Sequence, residues 1–80
     1  MKIELRLFAS LARYTPDKPG SLDNCIMEIA EGSTIIDILR RLEVPLDKVR
    51  VIFLNGLHVT GEEVLKEGDR VGVFPPVAGG

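Results

Sequence analysis

Only one stretch of this sequence repeats apolar residues at helical spacing. It is STIIDILRRL, residues 33–42. At about 100° per residue, Ile35, Ile38, Leu39 and Leu42 fall on one face, with Asp37, Arg40 and Arg41 opposite. Thr34, with Asp37 three residues on, matches a capping box, and Pro45 is expected to stop the helix. One amphipathic helix cannot bury its stripe alone. It needs a sheet to lie on, so the rest of the chain must supply strands.

It does. Residues 2–8, KIELRLF, alternate with period two, placing Ile3, Leu5 and Leu7 on one side and Lys2, Glu4 and Arg6 on the other. Residues 14–24, YTPDKPGSLDN, read as a Pro- and Gly-rich loop. CIMEIA, residues 25–30, follows as a second strand, antiparallel to the first, with Cys25, Met27 and Ile29 on one face. Residues 49–54, VRVIFL, are apolar on both faces, which predicts a strand at the sheet centre. Asn55-Gly56 is a two-residue hairpin signal joining that strand to LHV. Residues 62–65, EEVL, read as one short helical turn, 67–69 as a turn, and RVGVFP as the last strand. The order β-β-α-β-β-β predicts an α+β chain: a ubiquitin-like β-grasp roll, with a mixed sheet of about five strands and one main helix across it.

Eighty residues make one domain, with no repeat or low-complexity tract to mark a second. An apolar share of 45% is enough for a core. A net charge of −2 with scattered Lys and Arg argues against a nucleic-acid face. No apolar run approaches the roughly 18 residues of a membrane helix, and Met1-Lys2 leads straight into alternation rather than a signal-peptide run, so a cytoplasmic setting is expected. One Cys and one His make a metal site unexpected. Cys25 in an apolar strand reads as core. His58 after the hairpin turn, Glu62-Glu63 and Asp37 read as solvated or capping groups without a catalytic partner.

The sequence ends FPPVAGG, residues 74–80. Pro75 and Pro76 fix φ and keep the preceding residues extended. Gly79 and Gly80 carry no Cβ and pass where a side chain would clash. The five residues Pro76–Gly80 reach at most about 16–18 Å. Such an end suits insertion into a narrow partner channel. Residues 1–74 are therefore expected to form the domain and residues 75–80 an extended tail, with Val77 and Ala78 threading together with Pro75, Pro76 and Gly79. Phe74, alternating with core-facing Val73, is expected to be partly exposed, and with Phe8 and Leu57 as neighbours would mark a docking patch.

LFASLAR, the hairpin at LNG, EGDRVGVF and the ending FPPVAGG together resemble the small subunit of molybdopterin synthase. That subunit belongs to the ubiquitin-like sulfur carriers, a family that includes the thiamine-pathway carrier. The resemblance spans the chain, and the long loop and Pro-Pro step favour the molybdopterin branch. It implies that a partner activating enzyme spends ATP to adenylate the carboxylate of Gly80. Sulfur then replaces AMP, giving a thiocarboxylate. A larger catalytic subunit takes in the tail, and the sulfur goes into the dithiolene that holds molybdenum or tungsten. The chain itself would be non-catalytic, with no bound cofactor or metal and no nucleic-acid or membrane partner. Two alternatives share the same tail: a ubiquitin-like modifier joined through Gly80 to lysines, and a carrier for thiamine or tRNA thiolation.

Overall fold

Alternation in KIELRL makes Lys2–Leu7 a strand, β1, whose Ile3, Leu5 and Leu7 are buried while Lys2 and Arg6 face solvent. The computed structural model describes residues 1–16, 18, 20 and 24–76. After β1, Ala9 takes a φ of 51° and turns the chain into a 3-10 helix, Ala9–Tyr14. The remaining elements are β2 (Cys25–Glu28), α1 (Ile35–Arg41), a short 3-10 turn (Leu46–Lys48), β3 (Val51–Leu54), β4 (Leu57–Val59) and β5 (Arg70–Phe74).

The five strands form one sheet in the order β2-β1-β5-β3-β4. β1 runs antiparallel to β2 and parallel to β5, with Glu4 opposite Arg70 and Leu7 opposite Val73. β3 runs antiparallel to both β5 and β4. A mixed sheet of this order under a single helix is the ubiquitin-like β-grasp, as the element order predicts. The core lies between sheet and helix, where Ile3, Leu5, Leu7, Val71 and Val73 meet Ile35, Ile38 and Leu39. Each such side chain, fully buried, stabilises the fold by about 1.5–3 kcal/mol.

Three local expectations change. The central strand is β5, not β3, which lies second from the edge. The second apolar face of β3 has another cause: Phe53 packs edge-on against Phe74 on the side of the sheet away from the helix. Secondly, α1 ends before Pro45. Glu43 adopts a left-handed φ of 61°, and the N–H groups of Glu43 and Val44 return to the carbonyls of Arg40 and Leu39. This is a Schellman closure, made here without glycine, and it seats Val44 in the core.

Thirdly, residues 62–65 make no helical turn. The Glu63 carboxylate accepts from the N–H of Gly61 at 2.8 Å and from the N–H and hydroxyl of Thr60 at 3.4 and 3.2 Å. Leu65 N–H donates instead to Ser33 at 2.8 Å, and Thr34 bridges Val64. Gly61, at φ 104°, is the pivot: a Cβ there would meet the Ile36 and Ile52 side chains at 2.9 and 3.0 Å. The segment is thus stitched to the start of α1, where the capping box forms as the sequence predicts. Asp37 N–H donates to the Thr34 hydroxyl at 3.1 Å, and Thr34 N–H donates to the Asp37 carboxylate at 3.0 Å.

These bonds give the fold a pH dependence. Asp37 titrates below its ordinary value, held there first by the Thr34 N–H and then by the Thr34 hydroxyl, against an opposing desolvation, with the Arg40 charge adding least. Glu63 is also lowered, first by its own N–H, then, against desolvation, by Gly61 and Thr60. Folded values below the unfolded ones mean stabilisation that is present at neutral pH and lost as pH falls below about 4. The thermal midpoint is therefore expected to drop between about pH 5 and 2.5. The drop should be shallower in an Asp37→Asn/Glu63→Gln variant, which starts lower at neutral pH. An equally steep drop in that variant would contradict the assignment.

Candidate functional site

The last ladder bonds of β5 define the base of the tail. Phe8 N–H donates to Val73 O at 3.0 Å, and Arg50 N–H donates to Phe74 O at 2.8 Å. Pro75 has no N–H to continue the pairing, so the strand ends there and the chain leaves the middle of the sheet. Pro75 is half-buried and Pro76 exposed. The sequence-predicted positions Val77, Ala78, Gly79 and Gly80 lie outside the described residues.

Around this exit the sheet face opposite the helix carries an aromatic cluster. Phe8 and Phe74 stack with ring centroids 4.0 Å apart and planes inclined by 7°, and Phe53 meets Phe74 edge-on at 5.7 Å. All three rings are half-buried, with no element of the described chain packed over that face. The expected partial exposure of Phe74 follows from strand alternation: Val71 and Val73 point to the core, Gly72 and Phe74 away from it. Phe8 comes alongside because it continues β1, whose Leu7 pairs with Val73.

Leu57 does not join them. It is 71% exposed and pairs with Leu54, one residue out of phase with the Phe53–His58 pair. Alternation therefore puts Leu57 on the helix side of the sheet, opposite the rings. Phe53 takes the place expected of it, and sequence reasoning missed this residue. The signal was in VRVIFL: a strand apolar on both faces that is not central must cover its second face with something local.

Charge surrounds the rings. The Arg6 guanidinium lies 4.8 Å from the Phe8 centroid, within cation–π reach. A shallow groove of about 290 Å³ beside the cluster is lined by Arg6, Phe8, Phe53, Arg70 and Gly72, with Glu4 as its one acid. A larger cleft between α1 and the β3–β4 hairpin contains neither Phe8 nor Phe74. His58 is exposed and tilts against Phe53 at 5.9 Å. Cys25 is half-buried, its thiol 3.6 Å from the Pro16 carbonyl oxygen. Among the described residues no group of three or more His, Cys, Asp or Glu is placed to hold a metal ion, and no helix is long and apolar enough to cross a membrane. The arrangement offers a flat apolar surface with a cationic rim, set at the root of a terminal segment.

Comparison with known proteins places the same features in one family. Residues 5–80 match the ThiS family. Small archaeal modifier protein 3 of Haloferax volcanii is 33% identical, with both chains covered in full. Among solved structures, a putative molybdopterin converting factor subunit 1 from Pyrococcus furiosus superposes with a TM-score of 0.70 at 28% identity, over 96% of this chain and 99% of that one. A complex of subunits 1 and 2 of the molybdopterin-converting factor from Helicobacter pylori gives 0.62 at 25% identity, covering both chains in full.

Proposed function

This chain belongs to the ThiS family, and from that premise we propose that it is a sulfur carrier whose Gly80 carboxylate is the working group. A carboxylate is a poor electrophile, because its charge repels nucleophiles and oxide is a bad leaving group. Attack of the carboxylate on ATP, on a partner activating enzyme, releases pyrophosphate and leaves an acyl adenylate. A sulfide equivalent displaces AMP and gives the thiocarboxylate. That sulfur attacks an electrophilic carbon of a pterin precursor held by a large catalytic subunit, and an oxygen substituent of that carbon leaves as the C–S bond forms. Hydrolysis of the acyl–sulfur bond returns the carboxylate and leaves sulfur for the dithiolene that binds molybdenum or tungsten.

The observation that carries this reading is the exit of Pro75-Pro76 from the middle strand, directly beside the half-exposed Phe8–Phe74 stack. A domain docked through the rings aims its tail into whatever it docks on. The likeness to subunit 1 of molybdopterin-converting factors, one of them solved with subunit 2, supports the large-subunit partner. In this reading the chemistry belongs to the partners, and the purified chain alone is expected to turn over no pterin precursor. The reading sets the protein in the cytoplasm, where ATP and activating enzyme meet.

A second reading, conjugation of Gly80 to lysines of other proteins, is favoured by the 33% identity to an archaeal modifier. Incubation with activating enzyme, ATP and a sulfur source, followed by intact-protein mass, separates the two. Exchange of one oxygen for sulfur on the free chain is expected, and sulfur transfer to the pterin precursor on adding the large subunit. Isopeptide-linked products with no thiocarboxylate would replace this reading by the second. Thiocarboxylate that serves only thiamine or tRNA thiolation would keep the carrier and change its acceptor.

A further inference from the structure

Gly72 occupies the middle of the central strand, between Arg6 of β1 and Phe53 of β3. Its backbone does not ask for glycine. It is not among the residues of positive φ, and its neighbours Val71 and Val73 are β-branched, as a strand interior favours. Glycine here weakens the strand, and such a residue marks a close approach by something else. Here that something is the pair of rings above it. A Cβ on Gly72 would come within 3.3 Å of Phe8 Cε2 and 3.9 Å of Phe74 Cε1, so the bare backbone is the floor beneath the ring stack. The first contact is tighter than a normal carbon–carbon approach, and a branched side chain would extend further into the ring.

We propose that Gly72 is a positioning residue for partner docking: it lets the Phe8 ring lie flat against Phe74 and so presets the aromatic platform that receives the large subunit. The inference rests on the carrier reading above and deepens it. The groove beside the platform also states what the partner brings. Arg6 and Arg70 line it against the single acid Glu4, so the chain, net negative as a whole, offers a positive rim here. The complementary surface is an apolar side chain laid on the rings and flanked by carboxylates. Preset rings bind better than rings that must be ordered on contact, because less side-chain freedom is lost.

The test uses the full chain and subunit 2 of the molybdopterin-converting factor from the same organism. Gly72→Val is expected to keep or raise the thermal midpoint, since valine suits a strand better, while weakening binding by about tenfold or more. Gly72→Ala should weaken it by about threefold, as the Phe8 ring swings by a few tenths of an ångström. In the free chain, the ring-current shifts of the Phe8 and Phe74 aromatic protons should move in step with these losses. In a Phe8→Ala background the further cost of Gly72→Val should fall below about twofold, because the ring it displaces is gone. Wild-type binding with Gly72→Val within twofold of it, or an undiminished loss without Phe8, overturns the inference and leaves the carrier reading standing. A wild-type chain that binds neither the large subunit nor an activating enzyme overturns both. If Gly72→Val does not fold, the alanine variant and its own double-variant comparison decide.

Discussion

Deletion of Gly80 is expected to abolish thiocarboxylate formation while leaving thermal unfolding unchanged. The deletion moves the terminal carboxylate about 3.5 Å short of the activating site, and a misplacement of even about 1 Å costs roughly 100-fold in rate. Gly79→Val keeps the length but adds a branched side chain and narrows φ, so it should fail as well. Among the described residues the buried cluster ends in sequence at Val73, so neither change is expected to alter it. Intact mass after incubation with activating enzyme, ATP and a sulfur source measures the first effect, and a thermal melt measures the second. Normal thiocarboxylate and normal onward transfer in both variants would leave the tail without a role and the protein as an interaction domain.

Phe74→Ala should weaken binding to the large subunit by about 2 kcal/mol or more, roughly 30-fold. Phe74 is the shared member of the cluster, stacked on Phe8 and met edge-on by Phe53. Removing it dissolves both contacts, each worth about 0.5–1.5 kcal/mol, so some stability goes too. The fold persists because the core neighbours on the same strand, Val71 and Val73, point the other way. Leu57→Ala is the matched control. It removes an exposed leucine from the opposite side of the sheet and is expected to leave affinity unchanged. Equal losses in the two variants would mean that binding uses the hairpin or the helix side and not the rings.

Much of this was legible in the sequence because it is local. Period-two alternation decides which side of β1 is buried, the Thr34–Asp37 pair starts the helix, and Asn55-Gly56 closes its hairpin with φ values of 51° and 84°. Phe74 was readable as half-exposed from its neighbour Val73. What failed was non-local. Strand order is not written in any one strand: apolarity on both faces of β3 reads as centrality but comes from Phe53 reaching Phe74. The phase of Leu57 depends on its pairing with Leu54 across the hairpin, and one residue of register reverses the face. Residues 62–65 carry helix-forming glutamates, but Glu63 caps Thr60 and Gly61, and Leu65 pairs with Ser33. The role of Gly72 was invisible because a missing side chain means something only when its neighbours are known.

The middle strand of the sheet is also the last one among the described residues, and this has a consequence for how the molecule comes into being. β1–β2 and β3–β4 are each an antiparallel pair, but no ladder joins one pair to the other. Two-stranded ribbons of this size are marginal in water on their own. β5 is the keystone between them, and it joins Glu4 to Arg70 across almost the whole chain. Closing so long a loop is a slow step, with nothing gained until both flanking ladders zip. Folding is therefore expected to be all-or-none, with β5 seated late. The ring platform and the end of β5 exist only once β5 is seated, so on the carrier reading an unfinished or damaged molecule would offer its partners no platform to dock on. On the carrier reading, structural integrity would thus be checked before any ATP is spent.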